Sequence, residues 1–269
     1  MQPSISERMK TFEAAEAKRR TMPLLPVLVR LDGKNFSHWT RGLQRPFDER
    51  MSQVMIEVTR RLVEAANACI GNTQSDEISL VLYSPTHESQ IYCDGRIQKL
   101  ASILSSMCTA WFNELINERI PEKRGRLAFF DARVWSVPTQ AEAVNVLVWR
   151  EQDATRNAVL MAAAAHFSHR QMHGKKTDEL RAMMREQGTQ FESYPVLFKR
   201  GTYVQRKIVR RKFNDEELQK LPPKHEAHTN PDLVVERSQV EQVDMPPITE
   251  VPNRVEVVFA GAKPEQLVR

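Results

Sequence analysis

The chain has 269 residues, of which 41% are hydrophobic and 27% are charged, and its formal net charge is +5. This composition excludes a globally disordered protein and is sufficient for one large domain or two modest ones. Mild basicity permits a polyanionic partner without identifying one. Cys69, Cys93 and Cys108 form no CxxC pair and are odd in number, which predicts a reduced, cytoplasmic protein. No apolar run is long enough to span a membrane, so we expect no membrane partner.

Strands and helices alternate in the first half of the predicted structure. The predicted helices cover residues 5–20, 48–69 and 95–115, and the predicted strands cover 27–31, 78–83 and 127–137. Two pairs, Asp32-Gly33 and Gly71-Asn72, are typical of turns. This order predicts an α/β or α+β fold, with helices packed on a sheet and a boundary near Pro138.

The second half differs in pattern. Its predicted helices cover residues 142–166 and 177–188, and its predicted strands cover 202–209 and 253–259. The Pro-rich stretch 221–249 lacks periodicity and is typical of a long loop or an insertion. We therefore expect a catalytic domain over 1–138 and a mainly helical domain over 139–269, with a loop-rich insertion near 221–249.

Acidic residues stand at the ends of two predicted strands. Asp32 follows the first strand, and Asp76 and Glu77 precede the second. Clustered carboxylates repel one another unless a cation compensates, and hard oxygen ligands suit Mg²⁺. Two carboxylates bridging two ions would form a clamp for displacement at phosphorus. Gly33 would let the backbone approach a ligand closely. From these residues alone, solvated turn acids remain an equal alternative.

Basic residues accompany these acids. Lys34, Arg45 and Lys99 are predicted to lie near them or on a neighbouring helix, and Arg96 and Lys99 share a helix face at a spacing of three. A triphosphate needs such cations in addition to metal ions. Each of these residues alone is more often a solvated surface charge.

Two further stretches suggest contacts with a polyanion. Arg150, Asp153 and Asn157 share one face of the long predicted helix, where they could position a base or phosphate, or simply face solvent. Residues 199–212 contain seven basic residues and no acid, as in surfaces that bind RNA backbones. Tyr203 within them could stack on a base. A basic edge strand is the alternative.

Several motifs together resemble one family. In chain order they are RLDGKNFSHWT, RPFDERM, TQSDEISLVL, RIQKLASIL, FDARVWSVP, WREQDATRNAVLMAAAAHFSH and KRGTYV. They are similar to the blocks of the tRNA-His guanylyltransferase family, which includes guanylyltransferase-like 3′-to-5′ RNA polymerases. The resemblance covers roughly residues 5–210. It implies a sheet like the palm of ordinary polymerases, with packed helices and a family-specific C-terminal part.

The resemblance also implies roles for individual residues. Asp32 and Asp76 would bind two Mg²⁺ ions together with the Gly33 carbonyl, and Glu77 would complete the catalytic acids. The implied nucleotide-binding residues are Lys34, Asn35, Phe36, Ser37, Arg45, Ser75, Arg96 and Lys99. The implied RNA-binding residues are Arg150, Asn157, Lys199, Arg200, Arg206, Lys207, Arg210 and Arg211.

The activity that the resemblance implies is the addition of nucleotides, especially guanosine from GTP, to the 5′ end of tRNA. ATP would first activate a 5′-monophosphate, and the protein would be a homo-oligomer, a tetramer by resemblance. Eukaryotic members carry a His-Ile-Asn-Asn-Leu-Tyr-Asn block where this chain has TRNAVLM, of which only Asn157 matches. This departure favours template-dependent 5′-end repair over the unpaired addition to tRNA-His.

Two alternatives stay open. A cyclic-dinucleotide synthase uses a similar palm, but a Gly-Gly before the acidic pair would favour it, and Gln74 and Ser75 stand there instead. A non-catalytic RNA-binding or nucleotide-binding module is the other, and the presence of all three acids argues against it.

Overall fold

One antiparallel sheet organises residues 3–266, which this computed structural model describes. Its six strands follow the spatial order β4-β1-β3-β2-β5-β6. The strands are β1 (Val27–Gly33), β2 (Ile70–Gln74), β3 (Glu77–Leu82), β4 (Phe130–Ser136), β5 (Thr202–Lys212) and β6 (Val234–Val243). The mixture of helices with an antiparallel sheet confirms the α+β class predicted from the sequence.

Ten α-helices surround the sheet within the described residues. They are α1 (Ile5–Ala17), α2 (Phe36–Trp39), α3 (Glu49–Ala65), α4 (Ile97–Arg119), α5 (Gln140–Ala164), α6 (His169–Met172), α7 (Thr177–Glu186), α8 (Val196–Lys199), α9 (Asp215–Lys220) and α10 (Arg254–Ala260). The five longest match predicted helices, apart from shifts at their ends. None of the helices described here combines the length and the apolarity needed to cross a membrane.

Both faces of β1 are buried, which explains its continuous apolar sequence. Val27, Val29 and Leu31 pack on one face against α3 and α4, whereas Leu28 packs on the other against α5. The sheet therefore lies between two helical layers. The first part of α5 packs on the sheet, and a cavity separates the later part of α5 from the polar ends of β1 and β3.

Strand β2 was not predicted, because Gly71 and Asn72 were interpreted as a turn. Gly71 instead packs beneath α3, where an added β-carbon would lie 2.7 Å from Cγ2 of Thr59. The glycine thus marks a close approach of strand and helix. In a sequence, such a glycine cannot be distinguished from one that forms a turn. Likewise, β1 continues through Asp32 and Gly33 instead of turning there.

The prediction for the C-terminal half needs three corrections. Residues 221–249 are not only loop, since β6 pairs with β5 over ten residues from Tyr203↔Val243 to Lys212↔Val234. Residues 253–259 form helix α10 and not a strand, because Val257 and Val258 bury against α5. The proposed division at 138 does not separate two packing units, since β5 and β6 extend the same sheet as β1–β4.

Candidate active site

The catalytic acids predicted from the sequence meet at one end of the sheet. Asp32 on β1 is directly opposite Glu77 on β3 and opposite Asp131 on β4. Residues paired in this way point to the same face of a sheet. Asp76 lies in the tight β2–β3 turn, next to Ser75, which has a positive φ of 54°. The sequence analysis did not name Asp131 as a candidate site residue, although it lies in the FDARVWSVP motif.

Asp76 is a half-buried carboxylate. Burial and the nearby charge of Asp32 raise its pKa to about 6. Its Oδ1 accepts a hydrogen bond of 3.1 Å from Oγ of Ser75, which partly offsets that rise. Ionising Asp76 beside Asp32 is therefore costly without a cation. This is the electrostatic pattern expected of a cation-binding pair.

Gly33 lies against Asp76. A β-carbon at this position would be 2.8 Å from Oδ2 of Asp76 and would collide with the ring of Phe36. Only glycine therefore fits between the two side chains in this arrangement. The backbone of Gly33 is thereby held beside both proposed carboxylate ligands.

These residues fit a magnesium site that is completed by substrate. In the part of the chain that the structure describes, no three His, Cys, Asp or Glu side chains are grouped closely enough to hold a metal by themselves. Mg²⁺ does not need such a cage, because it usually takes one or two carboxylates and fills its shell with water and phosphate oxygens. Asp32, Asp76 and the Gly33 carbonyl are a donor set of that kind.

Glu77 is engaged by Arg150 of α5. Nε and Nη2 of Arg150 donate to the two carboxylate oxygens of Glu77, each over 2.6 Å. The same Nη2 donates to Asp153 over 3.0 Å. The Arg150 side chain is only 11% exposed. Its donors are directed at carboxylates in this conformation, and its predicted role in binding RNA stays a prediction.

Two cavities meet at the β2–β3 turn. The first, about 330 Å³, extends from Asp76 past Ser37 to Arg45 and the ring of Phe198. The second, about 440 Å³, lies between the acidic end of the sheet and α5. The second cavity is lined by Asp32, Asn72, Gln74, Ser75, Asp76, Glu77, Arg150, Asp153, Ala154, Asn157, Leu160 and Met161. Ser75 and Asp76 border both cavities, so a group placed at Asp76 can be reached from either side.

Half of the predicted nucleotide-binding residues line the first cavity. Ser37, Arg45 and Ser75 line it directly. Lys34 and Asn35 are exposed on the segment that joins β1 to α2. Phe36 borders the cavity, but its ring is 5% exposed and packs 5.0 Å from Trp39, so it supports the wall instead of offering a free face to a base.

The structure does not bring Arg96 and Lys99 beside the acids, since both lie at the start of α4, and their role in nucleotide binding stays a prediction. The acid end of the sheet meets α4 near Thr109, whose Oγ1 accepts from the amide of Phe130. Lys99 is ten residues earlier on α4, about 15 Å along the helix axis. Arg96 forms a β-bridge with Arg20 at that distant end. Helical spacing showed that the two share a face but could not show the direction of the helix.

The basic stretch 199–212 is not the free cationic surface that was predicted. Lys207 pairs with Glu241 and Arg210 with Glu236, both on the adjacent strand β6. The other partners are the Glu192 carbonyl for Lys199, Glu151 for Arg200, the Ala68 carbonyl for Arg206, Glu217 for Arg211 and Asp232 for Lys212. The compensating acids are distant in sequence, so composition of the stretch alone could not reveal them.

Tyr203 also requires correction, because its side chain is 2% exposed and cannot stack on a base. Its hydroxyl donates to Oε2 of Glu151 over 2.9 Å, and Oε1 of Glu151 accepts from the Ile248 amide over 3.0 Å. Burial raises the pKa of both Tyr203 and Glu151. This pair joins β5 to α5 behind the candidate site.

Comparisons with known proteins show which sequences and folds this chain resembles. The family described as tRNAHis guanylyltransferase matches residues 6–138. A bacterial tRNA(His) guanylyltransferase-like protein in complex with ATP is 30% identical, with a TM-score of 0.77 over 95% of this chain and 99% of that one. A bacterial structure of the same description in complex with GTP is 29% identical, with a TM-score of 0.69 over 95% and 97%. These structures confirm the predicted fold class.

A curated relative adds sequence evidence. The tRNA(His) guanylyltransferase of Saccharomyces cerevisiae is 26% identical over 204 residues, which are 69% of this chain and 84% of that protein. The chain therefore belongs to the tRNA(His) guanylyltransferase family and is a nucleotidyltransferase.

Proposed function

We propose that this protein adds nucleotides in the 3′-to-5′ direction to shortened 5′ ends of tRNA, under the direction of the opposing strand. The observation that carries this proposal is the position of Asp76. It is a half-buried carboxylate beside Asp32, and it borders two cavities that meet at the β2–β3 turn. Such a centre can bring two phosphate-bearing substrates to one cation-binding pair.

The first cavity is suited to a nucleoside triphosphate. Arg45 supplies an exposed guanidinium there, and the half-buried ring of Phe47 lines the cavity, supported by the buried Phe198 ring, whose centroid lies 4.7 Å away. Cationic and aromatic groups together match a charged phosphate chain and a flat base. The bacterial relatives in complex with ATP and with GTP support both nucleotides as substrates of this chain.

The second cavity is suited to the 5′ end of the RNA. Asp32, Asp76 and Glu77 lie at its floor, and Asn157 lines its α5 wall, where an amide can donate to a phosphate or a base. Its one cation, Arg150, is already paired with acids. A polyanionic RNA end therefore requires additional positive charge at Asp32 and Asp76, which Mg²⁺ would supply.

The residues act by positioning and by electrostatics. A 5′-monophosphate end would first be adenylylated by ATP, with release of pyrophosphate. The 3′-hydroxyl of the incoming nucleotide would then attack that phosphorus, a new phosphodiester bond would form, and AMP would leave. When bound, Mg²⁺ would lower the pKa of the attacking hydroxyl and stabilise the leaving phosphates. Asp32, Asp76 and the Gly33 carbonyl would hold it, and Arg45 would offset charge on the triphosphate.

Template dependence is supported by the absence from α5 of most side chains of the eukaryotic block. Of the eukaryotic His-Ile-Asn-Asn-Leu-Tyr-Asn block only Asn157 is present, and Ala158 and Val159 in the same stretch are buried. Fewer polar side chains remain to select an unpaired guanosine. Base pairing with the opposing strand would supply that selection, because a mismatched nucleotide loses hydrogen bonds and stacking.

The test compares two tRNA substrates at equal concentration. One lacks its 5′-terminal nucleotide, and the base opposite the gap is varied; the other is intact tRNA-His facing a non-pairing base. We expect incorporation to follow Watson–Crick pairing and to be faster on the shortened tRNA. Incorporation that ignores the opposing base, or that prefers intact tRNA-His, would contradict the proposal.

We also propose a homo-oligomer. Helix α1 has no buried residue, and Ile5, Met9 and Phe12 expose an apolar stripe along it. Burial of that stripe between subunits would remove apolar surface from water. Light scattering of the purified protein tests this, and a monomer at micromolar concentration would contradict it.

A further inference from the structure

The ion pair between Arg150 and Glu77 connects α5 to the acidic end of the sheet. We infer that Arg150 is a positioning residue, which holds Glu77 beside Asp32 and Asp76 and keeps its carboxylate from becoming a metal ligand. This inference rests on the proposed metal site. It assigns Arg150 a role in the reaction that is different from contact with RNA.

The geometry fixes Glu77 at both oxygens. Each oxygen accepts a hydrogen bond of 2.6 Å from Arg150, and Oγ of Ser79 donates to Oε1 over 3.4 Å. Such a bidentate contact fixes the orientation of the carboxylate as well as its electrostatic environment. The Glu77 side chain is 19% exposed, so water screens the contact only weakly.

Arg150 is in turn fixed by its own helix. Asp153, one turn further along α5, accepts from Nη2 over 3.0 Å, and the Trp149 ring lies 4.6 Å from the guanidinium carbon. A lysine would keep the positive charge but could not form the bidentate hydrogen bonds that the planar guanidinium donates. Position, and not charge alone, is therefore what this arginine contributes.

The position of Glu77 explains why it must be held. It follows Asp76 in the chain and is directly opposite Asp32, so a free Glu77 carboxylate would be a third ligand for the same ion. Mg²⁺ retains several open positions for substrate phosphates. A third carboxylate would occupy one of them, strengthening metal binding while hindering the substrate. Arg150 prevents this by competing for Glu77.

The experiment measures Mn²⁺ binding to the RNA-free, nucleotide-free protein by electron paramagnetic resonance. We expect Arg150→Met to tighten binding about tenfold, because ligand charge and outer contacts change metal affinity by such factors. Arg150→Lys should also tighten it, by at least about threefold. In a Glu77→Gln background, Arg150→Met should change the Mn²⁺ affinity less than about threefold. Arg156→Met, which alters an exposed partner of Asp153 on the same helix, is the control and should change nothing.

Activity provides the second readout. With Arg150→Met, kcat for nucleotide addition should fall at least about tenfold while KM for GTP changes little. Equal tightening by Arg150→Met with and without Glu77 would mean that Arg150 acts only as a distant charge and would overturn the inference. So would a variant that loses tRNA affinity but binds Mn²⁺ normally.

The metal site itself is tested separately with Asp76→Asn. If Asp76→Asn binds Mn²⁺ as well as the unaltered protein, the proposed metal site fails and this inference fails with it. If Asp76→Asn loses Mn²⁺ and the Arg150 variants bind it normally, only the inference about Arg150 is overturned. Circular dichroism confirms that each variant is folded, and Arg150→Lys serves where Arg150→Met is unstable.

Discussion

Gly33 and Asp76 are so close that a β-carbon at Gly33 would lie 2.8 Å from Oδ2 of Asp76. We expect Gly33→Ala to lower the free energy of unfolding by about 1–3 kcal/mol, since a methyl group must displace packed neighbours. It should also reduce incorporation, because Asp76 must move. Urea unfolding and incorporation on shortened tRNA measure both effects.

Gly125→Ala is the matched control for that substitution. Gly125 has a φ of +78°, and an added β-carbon there would meet nothing within 4 Å. It should cost some stability through backbone strain while the folded protein keeps its activity. If Gly33→Ala kept full activity with unchanged dependence on Mg²⁺, the close approach of Gly33 and Asp76 would have no role in the reaction.

The raised pKa of Asp76 predicts a pH dependence of stability without metal. Burial and Asp32 raise this pKa from 3.8 to about 6 in the folded state. Between these values the folded state binds more protons than the unfolded state, so the free energy of unfolding falls as pH rises. The loss by pH 7.5 should be on the order of 3 kcal/mol.

Asp76→Asn isolates that contribution. With a chelator present, the variant should match the unaltered protein near pH 4 and exceed its free energy of unfolding at pH 7.5, as measured by urea unfolding. Added Mg²⁺ should stabilise only the unaltered protein at pH 7.5. A constant difference between the two proteins across this pH range would show that Asp76 does not titrate as described.

The hydrogen bond between Tyr203 and Glu151 should contribute to stability and not to RNA binding. Tyr203→Phe removes the donor to a Glu151 carboxylate that is 6% exposed, and leaves that oxygen without this partner. We expect the free energy of unfolding to fall by about 1–3 kcal/mol. tRNA affinity of the folded variant should be unchanged. A loss of tRNA binding without a loss of stability would restore Tyr203 as a base contact.

The paired charges on β5 predict a weak role in RNA binding. Arg210→Ala and Arg211→Ala together should change tRNA affinity less than about twofold and leave its salt dependence nearly the same, because Glu236 and Glu217 already neutralise these cations. Glu236→Gln should do the reverse and strengthen binding by freeing Arg210. Filter binding at several salt concentrations measures this, and a slope reduced by about two charges in the double variant would contradict the prediction.

Local patterns predicted most of the first half of the fold. The buried stripe on α3, which includes Val54, Val58 and Leu62, has the helical period, and β1 has the continuous apolar run of a strand buried on both faces. The acids were found because each stands at a strand end in a recognisable motif. Their proximity follows from the β1–β3 register, which only the structure displays.

What the sequence did not predict depends on contacts between distant segments. The valines of α10 favour a strand locally, but burial against α5 determines a helix. Lys207 and Arg210 of β5 pair with acids of β6, about thirty residues later, and Arg150 is directed at Glu77, which precedes it by 73 residues. Short motifs carry the identity of a charged residue but not its partner.

The most direct test of the proposed chemistry uses a shortened tRNA that already carries a 5′-triphosphate, so that ATP activation is not needed. GTP incorporation opposite cytosine is measured over a Mg²⁺ titration for the unaltered protein, Asp32→Asn and Asp76→Asn. We expect the unaltered protein to require Mg²⁺ and each variant to lose at least about a thousandfold in rate at saturating Mg²⁺, as removal of a centre that stabilises transition-state charge does. Incorporation near the unaltered rate by either variant would contradict a catalytic centre at Asp32 and Asp76.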